Sequence, residues 1–319
     1  MRVLKNALGI GALAITILTA AVVVSKPPIA AEQTIRIGVQ KYGTLIVLQV
    51  RGTLEKRLAQ QGIKVTWTEF PGGPQLLEAL SAGSIDFGTT GEAPPVFAQA
   101  GGSPLVYVGV EPPAPTGEAI LVPKDSPIKT VADLKGKKVA LNKGSNVHYL
   151  LVKALEKAGL KPSDINSVFL APADGRAAFE SGNVDAWVIW DPFRAAAQTA
   201  TGARTLVDGT GLVQNLQFYL ATRDYAQTHA DVLKIVDQQI ADTDAWAQTH
   251  ESEVVDLLAA HTGLNHDAVQ AAVARLGYGH HPITPEIVTY QQGIADTFFG
   301  LGLIPKAVHI ADALPGPKS

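Results

Sequence analysis

The feature that most constrains the fold is a strand–loop–helix plan that occurs twice along the chain. Ala82-Gly83-Ser84-Ile85-Asp86 and Ser181-Gly182-Asn183-Val184-Asp185 each lie where a predicted helix is followed by a predicted strand. Around them, alternating apolar patterns predict strands, and amphipathic segments that end at glycine predict helices. Alternating strands and helices imply parallel sheets with right-handed crossovers. The sequence therefore predicts two α/β lobes of similar design with a ligand cleft between them.

Two strand-like segments, Glu118 to Val122 and Leu216 to Ala221, predict the crossings of a two-strand hinge. Lobe I is then expected to contain residues 32–119 and 222–319, and lobe II residues 120–221. Within lobe I a helix is predicted from Leu45 to Gln60. Helical patterns after residue 222 are expected to pack mainly on lobe I, and they run over 232–246, 251–260, 267–276 and 285–300.

Composition excludes several classes of function. Of the 319 residues, 46% are hydrophobic and 17% charged, which is typical of folded domains. The formal net charge of −3 and the lack of a long basic run give no indication of a nucleic-acid partner, and none is expected. Cysteine is absent, which excludes disulfides, thiolate catalysis, cysteine metal sites and a lipid-modified N-terminal cysteine.

Sequence motifs of catalysis are also missing. The histidines do not have metal-ligand spacing, and neither HExxH, a P-loop, GxSxG nor GxGxxG occurs. We therefore expect a protein without a cofactor, a metal or a catalytic residue.

The N-terminus has the pattern of a secretory signal peptide. Arg2 and Lys5 precede an apolar run from Ala7 to Val24, and small residues follow before Glu32. Glycines and threonines within the run weaken its partitioning into lipid, so cleavage is favoured over retention as an anchor. Residues 1–31 hold three basic residues and no acidic ones, which leaves −6 for the chain from Glu32 onward. We expect a soluble periplasmic protein.

Loops at the carboxyl ends of the predicted strands are the candidate ligand site. In two of them a short polar side chain stands at a helix start, where free N–H groups can cradle an anion. Ser and Thr also favour such positions as plain helix caps, so either loop alone is ambiguous. The strand that ends at Trp190 adds an indole wall for an apolar tail. The candidate ligand-binding residues are Gln40, Thr89, Thr90, Gly91, Glu92, Gly144, Ser145, Asn146, His148, Trp190 and Asp191.

At these positions the chain resembles the aliphatic sulfonate-binding proteins of ABC importers. The resemblance covers nearly the whole chain after the signal-like segment and weakens in the C-terminal helices. It rests on segments in matching order: 37–41, 69–80, 83–88, 106–113, 143–145 and 182–192. Ser145-Asn146-Val147-His148 stands where the family often has a run of serines before the histidine.

The resemblance implies a type II periplasmic-binding-protein fold that closes by hinge bending on an alkanesulfonate for sulfur acquisition. It also implies delivery of the ligand to an ABC permease in the inner membrane, and we expect the protein to be a monomer. Within the cleft it implicates Gln40, Thr90, Gly91, Ser145, Asn146 and Trp190. Nitrate, taurine and thiamine-precursor binders are related, and an enzyme of cofactor-precursor synthesis on the same fold is a further alternative.

Overall fold

The structure is a computed structural model in which residues 33–316 are described. The predicted signal peptide, residues 1–31, lies outside the described residues. Within the described part of the chain, ten strands form two five-stranded sheets. In chain order they are β1 (Gln33–Val39), β2 (Ile63–Glu69), β3 (Phe87–Gly91), β4 (Leu105–Val110), β5 (Glu118–Val122), β6 (Lys138–Leu141), β7 (Asn166–Phe169), β8 (Ala186–Trp190), β9 (Arg204–Asp208) and β10 (Gln217–Thr222).

The α-helices of the described chain cover the sheets and supply the interface between them. In chain order they are α1 (Thr44–Arg51), α2 (Thr53–Ala59), α3 (Gly73–Ser81), α4 (Ala93–Ala100), α5 (Asn146–Lys157), α6 (Pro172–Glu180), α7 (Phe193–Thr201), α8 (Arg223–Thr228), α9 (Ala230–Ala247), α10 (Glu251–Thr262), α11 (His266–Val273) and α12 (Pro285–Gly300). Helices α9 and α10 pack on α1, against the first sheet.

Both sheets follow one plan. The first has the strand order β2-β1-β3-β10-β4 and the second β7-β6-β8-β5-β9. In each, the first three strands are parallel and the fourth runs antiparallel to both of its neighbours. The predicted fold of two α/β lobes is confirmed. We call the part built on the first sheet lobe I and the part built on the second sheet lobe II.

The repeated sequence motif has a structural cause. The Asp86 carboxylate accepts the Arg36 N–H at 2.8 Å, and the Asp185 carboxylate accepts the Lys138 N–H at 2.8 Å. In each lobe this bond fastens the turn before the central strand, β3 or β8, to the neighbouring strand, β1 or β6. Gly83 and Gly182 precede these turns with φ of 68° and 73°, a conformation that side chains other than glycine disfavour.

The two predicted hinge strands belong wholly to their own sheets, because each has a hydrogen-bonded strand on both sides. The chain crosses between the lobes just before each of them, over residues 111–117 and 209–216. These crossings lie side by side, since the Ala114 N–H donates to the Gln214 carbonyl and the Gly209 N–H to the Pro115 carbonyl, both at 3.0 Å. The chain connections between the lobes are therefore two short segments that are hydrogen-bonded to each other.

Candidate functional site

A small cavity of about 30 Å³ lies in the cleft between the lobes. Lobe I supplies part of its wall, lobe II faces it, and the second crossing with the start of β10 closes its base. Every side chain in this wall is uncharged. The lining residues are Gln40, Tyr42, Gly73, Gly91, Pro94, Ser145, Asn146, Trp190, Asn215 and Gln217.

The start of α5 forms the lobe II wall. Ser145 stands at the N-cap position, but its hydroxyl donates to the Asn142 carbonyl at 2.7 Å and makes no cap bond. The backbone N–H groups of Asn146 and Val147 have no hydrogen-bond partner among residues 33–316. Free N–H groups at a helix start attract negative charge. This end of α5 therefore has the unpaired donors that the predicted anion cradle of lobe II requires.

The corresponding cradle in lobe I is not formed. Strand β3 extends through Gly91, so Thr89 and Thr90 are buried strand residues and not loop residues. At the start of α4, Ala93 has a backbone N–H group, whereas Pro94 and Pro95 have none. The expectation of two matched cradles is therefore corrected to one cradle and a single donor.

That single donor is already engaged across the cleft. Oδ1 of Asn146 accepts the Ala93 N–H at 3.2 Å, and Nδ2 of Asn146 donates to Oδ1 of Asn215 at 2.6 Å. Asn215 is held in turn by its own donation to the Ala114 carbonyl at 2.7 Å. The Asn146 carboxamide thus connects lobe II with both lobe I and a crossing segment.

Two polar side chains complete the wall of lobe I. Gln40 is fixed because its Nε2 donates to the Thr89 carbonyl at 2.9 Å. Tyr42 is buried, and its hydroxyl has no hydrogen-bond partner among the described residues. Burial, with the nearby carboxyls of Asp191 and Glu111, raises the pKa of Tyr42 well above its usual range. The phenol therefore stays protonated, and its buried O–H, on a residue that lines the cavity, has no acceptor among the described residues.

Trp190 ends β8 and presents its indole to the cavity, edge-on to Phe193 at a centroid distance of 6.0 Å. A Cβ atom placed on Gly72 would come within 3.5 Å of this indole, so lobe I approaches it closely. The indole is the apolar surface of the site.

Asp191 does not line the cavity. Its side chain is fully buried and accepts Nε of Arg275 at 2.7 Å and an Arg275 terminal nitrogen at 2.9 Å. It also accepts the Ala195 N–H at 3.1 Å, which is the helix-cap role weighed from the sequence. Since Arg275 follows α11 of lobe I, this ion pair joins the two lobes at the side of the cleft.

His148 and Gly144 support the cradle from behind. Nδ1 of His148 accepts the Gly144 N–H at 3.3 Å, and the ring lies against Phe97 and Phe298. Burial lowers the pKa of His148 to about 4, so the imidazole is neutral. It fixes the loop but offers no positive charge to a ligand.

Glu92 is buried behind the cavity, where one carboxyl oxygen accepts the Leu216 N–H at 2.8 Å. Burial raises its pKa to about 7. It fastens the second crossing to the start of α4 and does not face the cleft.

Of the predicted ligand residues, the structure brings Gln40, Gly91, Ser145, Asn146 and Trp190 to the cavity wall, and it places Thr89, Thr90, Glu92, Gly144, His148 and Asp191 behind it. Sequence reasoning missed the lining residues Tyr42, Gly73, Pro94, Asn215 and Gln217. Tyr42 could have been found, because it lies only two residues after the candidate residue Gln40. No sequence pattern indicated Asn215, because this residue lies at the site only as a result of the course that the second crossing takes between the lobes.

Residues 33–316 contain no cluster of three or more His, Cys, Asp or Glu side chains that could hold a metal ion. In the same part of the chain, no helix has both the length and the apolar character needed to cross a membrane.

The comparisons with known proteins agree with this architecture. A family model described as NMT1/THI5 like matches residues 58–260. An aliphatic sulfonates-binding protein of Escherichia coli is 47% identical over 299 residues, 92% of this chain and 93% of that protein. The chain belongs to the aliphatic sulfonate-binding protein family. A second member, from Bacillus subtilis, is 32% identical over 88% of this chain and 85% of its own length.

A solved family structure supports the fold in detail. The alkanesulfonate-binding protein SsuA of Xanthomonas axonopodis pv. citri, bound to MOPS, is 42% identical. The match covers 88% of this chain and 97% of that protein, with a TM-score of 0.85. These family members are named as binding proteins and not as enzymes.

Proposed function

We propose that this protein is the extracytoplasmic substrate-binding subunit of an ABC importer and that it encloses an aliphatic sulfonate between its lobes. The observation that carries the proposal is the unpaired donor set at the start of α5, facing a cavity with an uncharged wall. Membership of the aliphatic sulfonate-binding family supports the same ligand class.

The chemistry of the wall fits a sulfonate head group. A sulfonate is a permanent anion with three acceptor oxygens. The lining residues Asn146 and Tyr42 hold an unpaired N–H and an unpaired O–H, and the Val147 N–H next to Asn146 is also unpaired among the described residues. Hydrogen bonds to a charged acceptor are stronger than those between neutral groups. Because no carboxylate lines the cavity, nothing in the wall repels the anion. The carbon chain of the ligand would lie against the indole of Trp190.

Binding involves no covalent step. Lobe I, built on the first sheet, and lobe II, built on the second sheet, meet at the crossings 111–117 and 209–216 and rotate about these two segments. Closure buries the ligand against both lobes, and the closed form then docks on the permease. The permease partner, a monomeric state and cleavage after residue 31 to give a periplasmic protein all belong to this proposal. Sequencing the N-terminus of the secreted protein tests the cleavage, and an intact Met1 would contradict it.

A thermal-shift experiment with a panel of ligands tests the choice of ligand. A ligand that binds only the folded state stabilises it by about 2.7 kcal/mol at a hundredfold excess over its Kd. Short alkanesulfonates should therefore raise the melting temperature of the protein by several degrees. The proposal would be overturned if alkanesulfonates without an amino group had no effect while nitrate, a pyrimidine or only the aminosulfonate taurine stabilised the protein.

A further inference from the structure

The Asn146 carboxamide occupies the gap between the lobes in an unusual way. Both ends of the group are used, one by the N–H of Ala93 in lobe I and the other by Asn215 in the second crossing. Asn146 is only 6% exposed, so water does not compete for these bonds. The side chain is thus a hydrogen-bonded bridge between the lobes at the cavity wall.

The facing surface is shaped to receive this side chain. A Cβ atom on Gly91 would come within 2.0 Å of the Asn146 carboxamide, so the bridge forms only because residue 91 is glycine. Pro94 and Pro95 supply no further N–H, which leaves the Ala93 N–H as the remaining donor at the start of α4. A ligand oxygen that approaches lobe I must therefore compete with Oδ1 of Asn146 for one donor.

We propose that Asn146 is a built-in competitor of the ligand: its carboxamide oxygen takes the position of a ligand oxygen in the empty closed cleft and must swing away when the sulfonate binds. This inference rests on the proposed function of the site. An amide oxygen and a sulfonate oxygen are both hydrogen-bond acceptors, and a single N–H cannot serve both with good geometry. The sulfonate replaces the amide at Ala93 while it gains the N–H groups at the start of α5.

The direction in which Asn146 changes the affinity for the ligand can be predicted. The bridge stabilises the closed protein without ligand, and part of that stabilisation is lost when the ligand takes the donor. Asn146 therefore lowers the affinity for the ligand by about the worth of one buried hydrogen bond, which is roughly fivefold in Kd. A residue that merely contacts the ligand would have the opposite effect when it is removed.

Titration calorimetry of the purified protein with ethanesulfonate tests whether substitution of Asn146 lowers or raises the Kd. Asn146→Ala should bind ethanesulfonate about fivefold more tightly than the wild type. Asn146→Ser, which keeps a polar residue at the helix start but is too short to reach Ala93, should shift the Kd in the same direction. Ser145→Ala should weaken binding, because it alters the wall that receives the anion. Asn166→Ala is the matched control, since this exposed carboxamide of lobe II bonds only the Gly136 carbonyl, outside the cavity wall, and should leave the Kd unchanged.

The Kd values of the two Asn146 variants distinguish a competitor of the ligand from an ordinary ligand contact. Weaker binding by both Asn146 variants, with wild-type binding intact, overturns the competitor role and makes Asn146 an ordinary ligand contact. An unchanged Kd in both variants overturns it as well. If the wild type itself binds no alkanesulfonate, the proposed function fails, and the competitor role with it. Thermal unfolding without ligand identifies a variant that does not fold, in which case the other variant carries the test.

Discussion

Tyr42 combines two properties that rarely coexist in a purely structural residue. Its ring is buried between the lobes, yet its hydroxyl makes no hydrogen bond to any described residue. A buried hydroxyl without a partner lowers stability. The phenol is therefore explained best as a donor kept free for the ligand.

Tyr42→Phe separates binding from folding. Removal of the hydroxyl should weaken alkanesulfonate binding about five- to tenfold, the effect of losing one hydrogen bond to an anion. The melting temperature without ligand should stay the same or rise, because no protein partner is lost. Calorimetric titration and thermal unfolding measure the two effects. Unchanged affinity, or a parallel loss of affinity and stability, would contradict the role of Tyr42 as a donor.

For the Asp191–Arg275 ion pair, in contrast to Tyr42, we expect a substitution to lower the stability of the protein. Asp191→Ala leaves the Arg275 guanidinium without its bidentate partner and should lower the free energy of unfolding by about 3–5 kcal/mol. Chemical denaturation measures the change. Glu180→Ala is the control, because the Arg176–Glu180 pair spans 2.6 Å on the surface and should contribute no more than about 1 kcal/mol. Equal effects of both variants would contradict the inter-lobe role.

At the scale of elements, sequence periodicity predicts most segments but not their ends. The predicted helix from Leu45 to Gln60 is two helices, since Gly52 adopts φ of 63° and interrupts it. The helix predicted at 285–300 is confirmed at both ends. Strand β3 runs to Gly91 because β10 pairs with it that far, and β10 is distant in sequence. That pairing removed the predicted loop at Thr89 and Thr90, and no local pattern could have revealed it.

The close packing of α3 on the first sheet can be tested at Gly88. A Cβ atom there would lie 2.9 Å from both the Gly38 carbonyl oxygen and the Leu76 side chain. Gly88→Ala should therefore destabilise the protein by about 1–3 kcal/mol. Gly293→Ala is the matched control, because α12 has open space there and alanine should stabilise it by roughly 0.5–1 kcal/mol. If urea unfolding showed that both variants change the free energy of unfolding in the same direction, the close packing at Gly88 would be contradicted.

At the scale of the whole molecule, buried carboxyl groups near the crossings make stability depend on pH. Burial raises the pKa of Glu111 to about 8, that of Glu92 to about 7 and that of Asp244 to about 6. Each folded-state value lies above the unfolded value, so the folded form binds these protons more tightly. The stabilising contribution is complete below the unfolded pKa and is lost as pH rises through the folded pKa.

The free energy of unfolding should accordingly fall between pH 6.5 and pH 8. Below about pH 6.5 the buried neutral His148 acts in the opposite direction, because unfolding lets it bind a proton. Glu111→Gln should reduce the slope, since glutamine does not ionise and can still accept from the Tyr219 hydroxyl, which lies 2.7 Å from the Glu111 carboxyl. Chemical denaturation at several pH values measures the slope. The raised pKa values of these carboxyl groups would be contradicted if the free energy of unfolding rose with pH in this range. An equal slope in Glu111→Gln and the wild type would contradict the contribution of Glu111.

We expect the bound sulfonate to lie between the start of α5 and the facing wall of lobe I. The sequence makes its location directly measurable, because beyond Met1 the chain contains neither cysteine nor methionine and therefore no sulfur. In crystals grown with ethanesulfonate, an anomalous difference map at long wavelength should show one sulfur peak between the lobes, about 4 Å from the Asn146 amide nitrogen. A peak elsewhere on the protein, or none in the cleft of a protein that binds the ligand in solution, would contradict the account.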